Sequence, residues 1–405
     1  MSSPSYPLLL DIAGRRVVMV GGGPVAARRA APLVDAGAHI VVVSPYLCEE
    51  LAELVAAGRA TWLPREYRAG DLDGAWLAHT ATGDRLTDDA VTAAAEAARI
   101  WCVRADDAEQ SSAWTPAVAR VGDVLVAISG GRDPRRASRL RDAVQAAMET
   151  GSLPLRRRRR DGAGSVALVG GGPGDPGLIT TRGRQLLTQA DVVVVDRLAP
   201  RTLLDELDPD VEIVDVGKVP GNHPVSQDEI NRLLVEHAVA GRRVVRLKGG
   251  DPFVLGRGGE EAAACRAAGV PVEVVPGVTS AVAVPSAAGI PVTHRGLAAQ
   301  FTVVSGHDGL DWPSLARLDG TLVLLMGVSR LRESTRELIE HGRDPATPAA
   351  VVEDGYGPRQ RVTVGTLATI GDLADERDVR PPAVVVVGDV VTLAAPPVDH
   401  GEVAP

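Results

Sequence analysis

Two glycine turns that end in a carboxylate carry the chemistry of this sequence. Gly249-Gly250-Asp251 follows the mostly apolar stretch 244–248, and Gly170-Gly171-Gly172-Pro173-Gly174-Asp175 follows the apolar stretch 166–169. A glycine turn at a strand end lets a ligand approach backbone N–H groups, and the usual guest is a phosphate held by those donors and a helix dipole. Asp251 repels such a guest. Two acidic turns suit a cationic small ligand instead, and S-adenosylmethionine, with its sulfonium and ammonium groups, is one. Either turn taken alone reads equally as an Asp cap on a tight turn.

A third turn opens the chain. Residues 15–20 read as a strand, Gly21-Gly22-Gly23-Pro24-Val25-Ala26 as a dinucleotide turn, and a helix runs through Ala36 before a second strand over 39–43. Gly21 and Gly23 allow a tight turn and close approach of a pyrophosphate, with Ala26 in place of a third glycine. Ser44 stands where an acid would bind the ribose hydroxyls of NAD, so NAD and NADP both stay open. The candidates for NAD binding are Gly21, Gly23, Pro24 and Val25, with Pro45 and Tyr46 beyond the second strand. Strand signals at 76–80, 101–104 and 124–129, with a helix over 88–98, extend a parallel sheet.

Elements of this kind need a sizeable scaffold, and 405 residues supply two or three domains. Aromatics are only 3%, so the cores are built from small aliphatic side chains, and Val-rich runs such as 192–195 and 384–387 point to α/β structure. A net charge of −9 argues against a nucleic-acid binder. Cys48, Cys102 and Cys265 are far apart, which supports neither a zinc site nor a disulfide framework. No signal peptide or membrane-length apolar run is evident, and the expectation is a cytoplasmic protein without a membrane or nucleic-acid partner. Between 135 and 165 the pattern shifts to an Arg-bearing helix, five arginines at 156–160 and Gly162-Ala163-Gly164. A solvated tether is preferred there to an RNA grip, because charge blocks are usually disordered.

From 166 to about 393 the chain resembles the uroporphyrinogen III C-methyltransferase family. The resemblance rests on VALVGGGPGDPGLIT (166–180), ADVVVVDRLAP (190–200), GKVPGNHPVSQDEIN (217–231), the Gly249 turn, VVPGVTSAVAVPSAAGIPVTHRG (274–296), TLVLLMGV (321–328) and VVEDGYGPRQRV (351–362). The GKxxxxH and THRG stretches favour this family over the related cobalamin-pathway methylases. In front, the Gly21 turn with AHTATGD (78–84), CVRADDAEQSSAWTPA (102–117) and VAISGGRDPRRASRLR (126–141) resembles the precorrin-2 dehydrogenase and sirohydrochlorin ferrochelatase module. Together the halves resemble the siroheme synthases. Two departures stand out: the S/TGG-x-SP stretch reads Ser129-Gly130-Gly131-Arg132-Asp133-Pro134, and the helical dimerisation segment is short.

The resemblance implies a Rossmann-like dinucleotide-binding domain followed by a two-lobed tetrapyrrole methylase domain. It divides the chain into 1–112 for NAD binding, 113–152 as a helical dimerisation extension and 153–165 as a linker. Residues 166–395 are then the methyltransferase, with lobes at about 166–298 and 299–395, and 396–405 a tail. It implies methylation of uroporphyrinogen III at C2 and C7 to precorrin-2, oxidation of precorrin-2 by NAD, and insertion of ferrous iron as substrate into sirohydrochlorin, by a homodimer.

By family match Asp196 is the proton acceptor of methylation and Lys218 the donor. From the residues alone Asp196 reads as a strand-end cap and Lys218 as a surface charge. Pro173, Gly249, Gly250, Asp251, Val254, Thr279, Ser280, Met326 and Gly355 match the S-adenosylmethionine contacts, though Met326 alone would pass for core packing. The substrate carries eight carboxylates, and Arg246, Lys248, Arg257, His294 and Arg295 stand on the motifs that would supply a cationic rim. In front, Asp106 matches the key carboxylate, Asp107 reads as a cap, and Ser129 matches a substrate contact. His223 and His307 read as hydrogen-bonded structural histidines, and no resident metal site is expected. Two alternatives stay open: a methyltransferase with a degenerate front domain, passing precorrin-2 to cobalamin synthesis or a separate chelatase, and an RNA methyltransferase, which the acidic chain disfavours.

Overall fold

The structure is a computed structural model that describes residues 6–131, 133–153, 156, 163–217, 225–307 and 309–395. The chain forms two compact units, Met1–Ala143 and Val144–Pro405.

In the first unit the order is β1 (Arg16–Val20), α1 (Pro24–Asp35), β2 (His39–Val43), α2 (Glu49–Ala56), β3 (Ala60–Leu63), β4 (Leu77–Thr80), α3 (Arg85–Ala97), β5 (Trp101–Arg104), β6 (Ala117–Val121), β7 (Val124–Ile128) and α4 (Pro134–Glu149). The first five strands form a parallel sheet in the order β3-β2-β1-β4-β5, the order expected of a dinucleotide-binding half. β1 lies at its centre because both its faces are apolar. Val17 and Met19 enter one core with Ala26 and Ala30 of α1, while Val18 and Val20 enter another with Val91 and Ala95 of α3.

The strand over 124–129 does not extend this sheet. β7 pairs antiparallel with β6 as a separate two-stranded ribbon. Gly122 and Asp123 form the two-residue turn between them, and Gly122 has φ +59°, the left-handed conformation such hairpins require. The boundary between the two units falls inside α4. Most of the linker and the tail at 396–405 lie outside the described residues, but Arg156, the first of the arginine run, is docked rather than solvated. Its Nε lies 3.5 Å from Asp191 and its Nη1 donates to Asp208 at 3.5 Å.

The second unit holds two sheets. β8 (Ser165–Gly170), α5 (Thr181–Thr188), β9 (Val192–Val195), β10 (Glu212–Asp215), α6 (Gln227–Val239), β11 (Arg243–Lys248), α7 (Gly258–Ala267), β12 (Val272–Val275) and α8 (Ser280–Ala287) come first. Their strands are all parallel, ordered β10-β9-β11-β8-β12. Helices cover both faces, so Val192 to Val195 are all buried, alternating between two cores as a parallel interior strand must.

After β13 (Phe301–Ser305) come α9 (Trp312–Ala316), β14 (Thr321–Leu325), α10 (Leu331–Glu340), β15 (Pro348–Glu353), β16 (Arg361–Thr366), α11 (Ile370–Glu376) and β17 (Ala383–Val387). This sheet, β13-β14-β17-β15-β16, is mixed. Helix α8 joins the two lobes: it follows the first sheet in sequence, yet Ala281 and Val284 are buried with Val323, Val352 and Val386 of the second.

Candidate functional site

At the carboxyl ends of β8, β9, β11 and β12 four loops meet backbone to backbone. Gly250 donates its N–H to the Gly172 carbonyl at 2.7 Å and accepts from Gly172 N–H at 3.2 Å, while Gly171 N–H donates to the Lys248 carbonyl at 2.8 Å. Side chains are excluded by distance. A Cβ on Gly277 would lie 2.2 Å from the Gly250 oxygen, one on Gly170 2.5 Å from Gly277, and one on Gly249 2.6 Å from the Leu198 oxygen. Carboxyl ends of parallel strands are where open α/β sheets place ligands.

Asp251 ties this junction together. Its Oδ1 accepts from Phe253 and Val254 N–H at 2.8 and 3.2 Å, and its Oδ2 accepts from Gly277 N–H at 3.0 Å. Asp175 Oδ1 accepts from Gly177 N–H at 2.7 Å. Both carboxylates thus perform the capping that each turn alone suggested. Thr279 caps α8, accepting from Ala281 N–H at 3.3 Å, next to Ser280, whose Oγ abuts Gly250. Gly355 packs on Val284 of α8, and the turn holding Pro173 and Gly174 comes up to residues 355 and 356.

Exposed apolar side chains, Val254, Val278 and Met326 among them, stand on these loops and on the turn after β14. Met326 is not core packing: it is exposed with φ +57°, a strained conformation for a methionine and one that clusters at ligand sites. Glycine-lined backbone, hydroxyls, carboxylates and apolar side chains together fit a ligand with adenine, ribose and a cationic chain.

Asp196 follows β9 with its side chain 29% exposed. Its Oδ1 accepts from Leu198 and Ala199 N–H at 3.2 and 3.1 Å, and its Oδ2 from Arg246 Nη2 at 3.2 Å. Arg246 and Lys248 therefore do not form a cationic rim. Both are buried, at 3% and 4% exposure, and both bond Glu261. The cause is the period of two along β11: positions 246 and 248 share the face of Val244, which α6 and α7 cover. Burial, and then the Arg246 charge, lower the Lys248 pKa.

Arg257, His294 and Arg295 are exposed, and Arg257 pairs with Glu260 at 2.7 Å. Lys218 and His223 lie outside the described residues, though Gly217 packs against Arg197, the neighbour of Asp196. His307 is exposed beyond β13, with no hydrogen bond among the described residues, so it is not the bonded structural histidine expected.

In the first unit Gly21, at φ +118°, and Gly22 are enforced by packing, since a Cβ on Gly22 would lie 1.8 Å from the Tyr46 oxygen. Gly23 is different. It caps α1 with nothing within 4 Å of a would-be Cβ, no side-chain cap and no acid in the first turn. Free helix N–H groups beside open backbone fit a pyrophosphate. Ser44 does not face a ribose: it is buried under Gly22, while Pro24, Val25, Pro45 and Tyr46 are exposed.

Asp106 is gripped by buried Arg104 through both oxygens, at 3.0 and 2.8 Å, and Arg104 also donates to Asp89 and Gln110. That pairing holds the Asp106 carboxyl below its ordinary pKa. Asp107 accepts from Glu109 N–H at 2.8 Å, as a cap should. Ser129 is exposed, and Asp133, in place of the family's serine, accepts from Arg135 and Arg136 N–H at the start of α4, so it caps as a serine would. Sequence reasoning gave no role to Glu261, Arg104 or Gly277. Among the described residues no group of three or more His, Cys, Asp or Glu gathers to hold a metal, and no helix is long and apolar enough to cross a membrane.

Residues 165–371 match the model of the tetrapyrrole (corrin/porphyrin) methylases, and residues 8–117 that of a putative NAD(P)-binding family. Over 96% of its length the chain is 39% identical to a siroheme synthase of Tolumonas auensis, covering 95% of that protein. It is 41% identical over 95% of its length to one of Gluconacetobacter diazotrophicus, again covering 95%. The alignment with the first spans 447 positions against 405 residues here, so that relative carries segments this chain lacks. Among solved structures, a uroporphyrin-III C-methyl transferase of Thermus thermophilus complexed with S-adenyl homocysteine is 46% identical over 56% of this chain and 99% of its own, with a TM-score of 0.50.

Proposed function

Because the chain belongs to the siroheme synthase family, we propose that it methylates uroporphyrinogen III to precorrin-2, oxidises that to sirohydrochlorin and inserts ferrous iron. The observation that carries the reading is the glycine junction with Asp196 on the adjoining strand end. Bound there, S-adenosylmethionine supplies an electrophilic methyl group. Gly249, Gly250, Thr279, Ser280 and Gly355, with Pro173 and Met326, bind and orient; Asp251 and Val254 hold the loop that does so. Alignment of methyl and ring carbon supplies much of the rate, so little covalent help is needed.

The ring loses one net proton for each methyl it gains: Asp196 accepts it, and a proton that Lys218 donates at one ring position is recovered from another as the double bonds shift. Arg257, His294 and Arg295 meet the substrate carboxylates, since these, unlike Arg246 and Lys248, are exposed. In the first unit, Gly21 to Val25 with Pro45 and Tyr46 hold NAD, which supplies a hydride acceptor when bound. Asp106, kept ionised by Arg104, takes up the proton released with the hydride, and its weak basicity suits passing that proton on to water. The same carboxylate assists loss of pyrrole protons as iron enters, with Ser129 at the substrate edge. Cytoplasmic location, a homodimer and a share of precorrin-2 diverted to cobalamin belong to the same reading; light scattering of the purified chain tests the dimer.

The test is stepwise. Uroporphyrinogen III and S-adenosylmethionine are mixed with the protein, then NAD, then Fe²⁺, with an absorption spectrum after each addition. Three successive spectral changes are expected. A spectrum that stops changing after the first addition leaves a methyltransferase alone, the alternative that the shorter chain favours.

A further inference from the structure

Behind Asp196 lies a set of buried charges that core packing does not require. Arg246 Nε donates to Glu261 Oε1 at 3.1 Å, its Nη1 to the carbonyls of Val194 and Leu247 at 3.4 and 3.2 Å, and its Nη2 to Asp196 Oδ2 at 3.2 Å. Lys248 Nζ donates to both Glu261 oxygens, at 3.0 and 3.1 Å, and Gln227 Nε2 to Oε1 at 3.4 Å. Glu261 is wholly buried. Buried ion pairs seldom stabilise more than apolar residues of similar volume, and Val244 shows that this face of β11 accepts an apolar side chain. Of the four charged groups Asp196, at 29%, is the one appreciably exposed, against 5% or less for the others.

We infer that Glu261 is a positioning residue for Asp196, acting through Arg246. This rests on Asp196 being the proton acceptor of methylation. The guanidinium plane is fixed by Glu261 and the two carbonyls, and its remaining nitrogen fixes Asp196 Oδ2, while backbone N–H groups fix Oδ1. The carboxylate is thus held from both sides, and the lone pairs left over are its working ones. Without Glu261, Arg246 loses the acceptor of its Nε, two buried cations lose their shared counter-ion, and Oδ2 loses its fixed partner.

The test is a double-variant cycle on the full chain: Glu261→Gln, Asp196→Asn and both together, with kcat, KM for uroporphyrinogen III and calorimetric affinity for S-adenosylhomocysteine. Glu261→Gln should lower kcat about 10- to 100-fold, leave KM and S-adenosylhomocysteine affinity within about twofold, and add less than about twofold to the loss in Asp196→Asn, since a positioning effect cannot exceed the roughly 10²- to 10⁴-fold of the acid–base group it serves. Glu261→Gln that retains wild-type kcat, or that multiplies the Asp196→Asn loss by its own full factor, overturns the inference. So does a parallel fall of affinity and kcat. If Glu261→Gln does not fold, the charge-neutral Glu261→Gln/Lys248→Met variant is used; wild-type kcat in that protein overturns the inference equally. Methylation surviving in Asp196→Asn alone would instead remove the Asp196 reading, so the two failures are distinct.

Discussion

Each unit sets a carboxylate after a parallel strand and grips it with a buried arginine, but the grips differ. In the first unit Arg104 lies two residues before Asp106 and binds both its oxygens. In the second, Arg246 comes from the neighbouring strand and binds one oxygen of Asp196, leaving the other to backbone N–H groups. A carboxylate clamped on both oxygens by one cation is a weaker base, which passes on a proton soon after taking it up. One steadied by a cation on one side and dipoles on the other is fixed in direction, with lone pairs still able to take a proton.

The strongest challenge to that contrast is Asp196→Asn, expected to cut kcat for methylation about 10² to 10⁴-fold while NAD-dependent oxidation of supplied precorrin-2 continues. Loss of both activities together would mean the carboxylates do not serve separate sites. Next comes the glycine junction. Gly277→Ala, whose Cβ would lie 2.2 Å from the Gly250 oxygen, should abolish S-adenosylhomocysteine binding in calorimetry and cost about 1–3 kcal/mol in denaturant titration, with NAD affinity unchanged.

A smaller effect separates two adjacent glycines of the first unit. Gly22→Ala should disrupt the turn, whereas Gly23→Ala should leave the melting temperature within about 2 °C and weaken NAD about tenfold, a loss of roughly 1.4 kcal/mol. The smallest concerns acid. The lowered pKa of Asp106 means that its pairing stabilises fully above the ordinary carboxylate pKa, near 3.8, and is lost as pH falls through the folded value. Melting curves of Asp106→Asn should therefore lie slightly below wild type at neutral pH, by about 1 °C, and converge with it as the pH falls below 3.8. A gap that widens in acid contradicts the grip.

Much of this was legible in the sequence, because local signals suffice for strands, turns and glycine cradles. The Val-rich runs, Gly21 to Ala26 and Gly249 to Asp251 each declare their structure within a few residues. Asp251 and Asp133 show the same economy: a short acid two or three residues ahead of free N–H groups caps them. What stayed hidden depends on contacts between distant segments. Arg246 and Lys248 read as exposed cations because nothing nearby reveals Glu261, which is brought to them by α7 from beyond the glycine turn. Their alternation with Val244 carried the missing signal, as Gly122-Asp123 did for the hairpin that was taken as a continuing sheet. Gly277 was silent for a similar reason, since the Gly250 oxygen and Gly170, both distant in sequence, are what leave no room for a Cβ there.

Helix α8 also sets a dimension of the second unit. Its Val284 bears directly on Gly355, where a Cβ would lie 2.8 Å from the valine Cγ1, so the seat of α8 on the turn after β15 has no room for one methyl group. A larger residue at 355 therefore calls for a matching cut at Val284, and the two positions vary as a pair. Because Gly355 is also one of the proposed S-adenosylmethionine contacts, a change to that pair bears on the donor's seat as well as on the packing of α8.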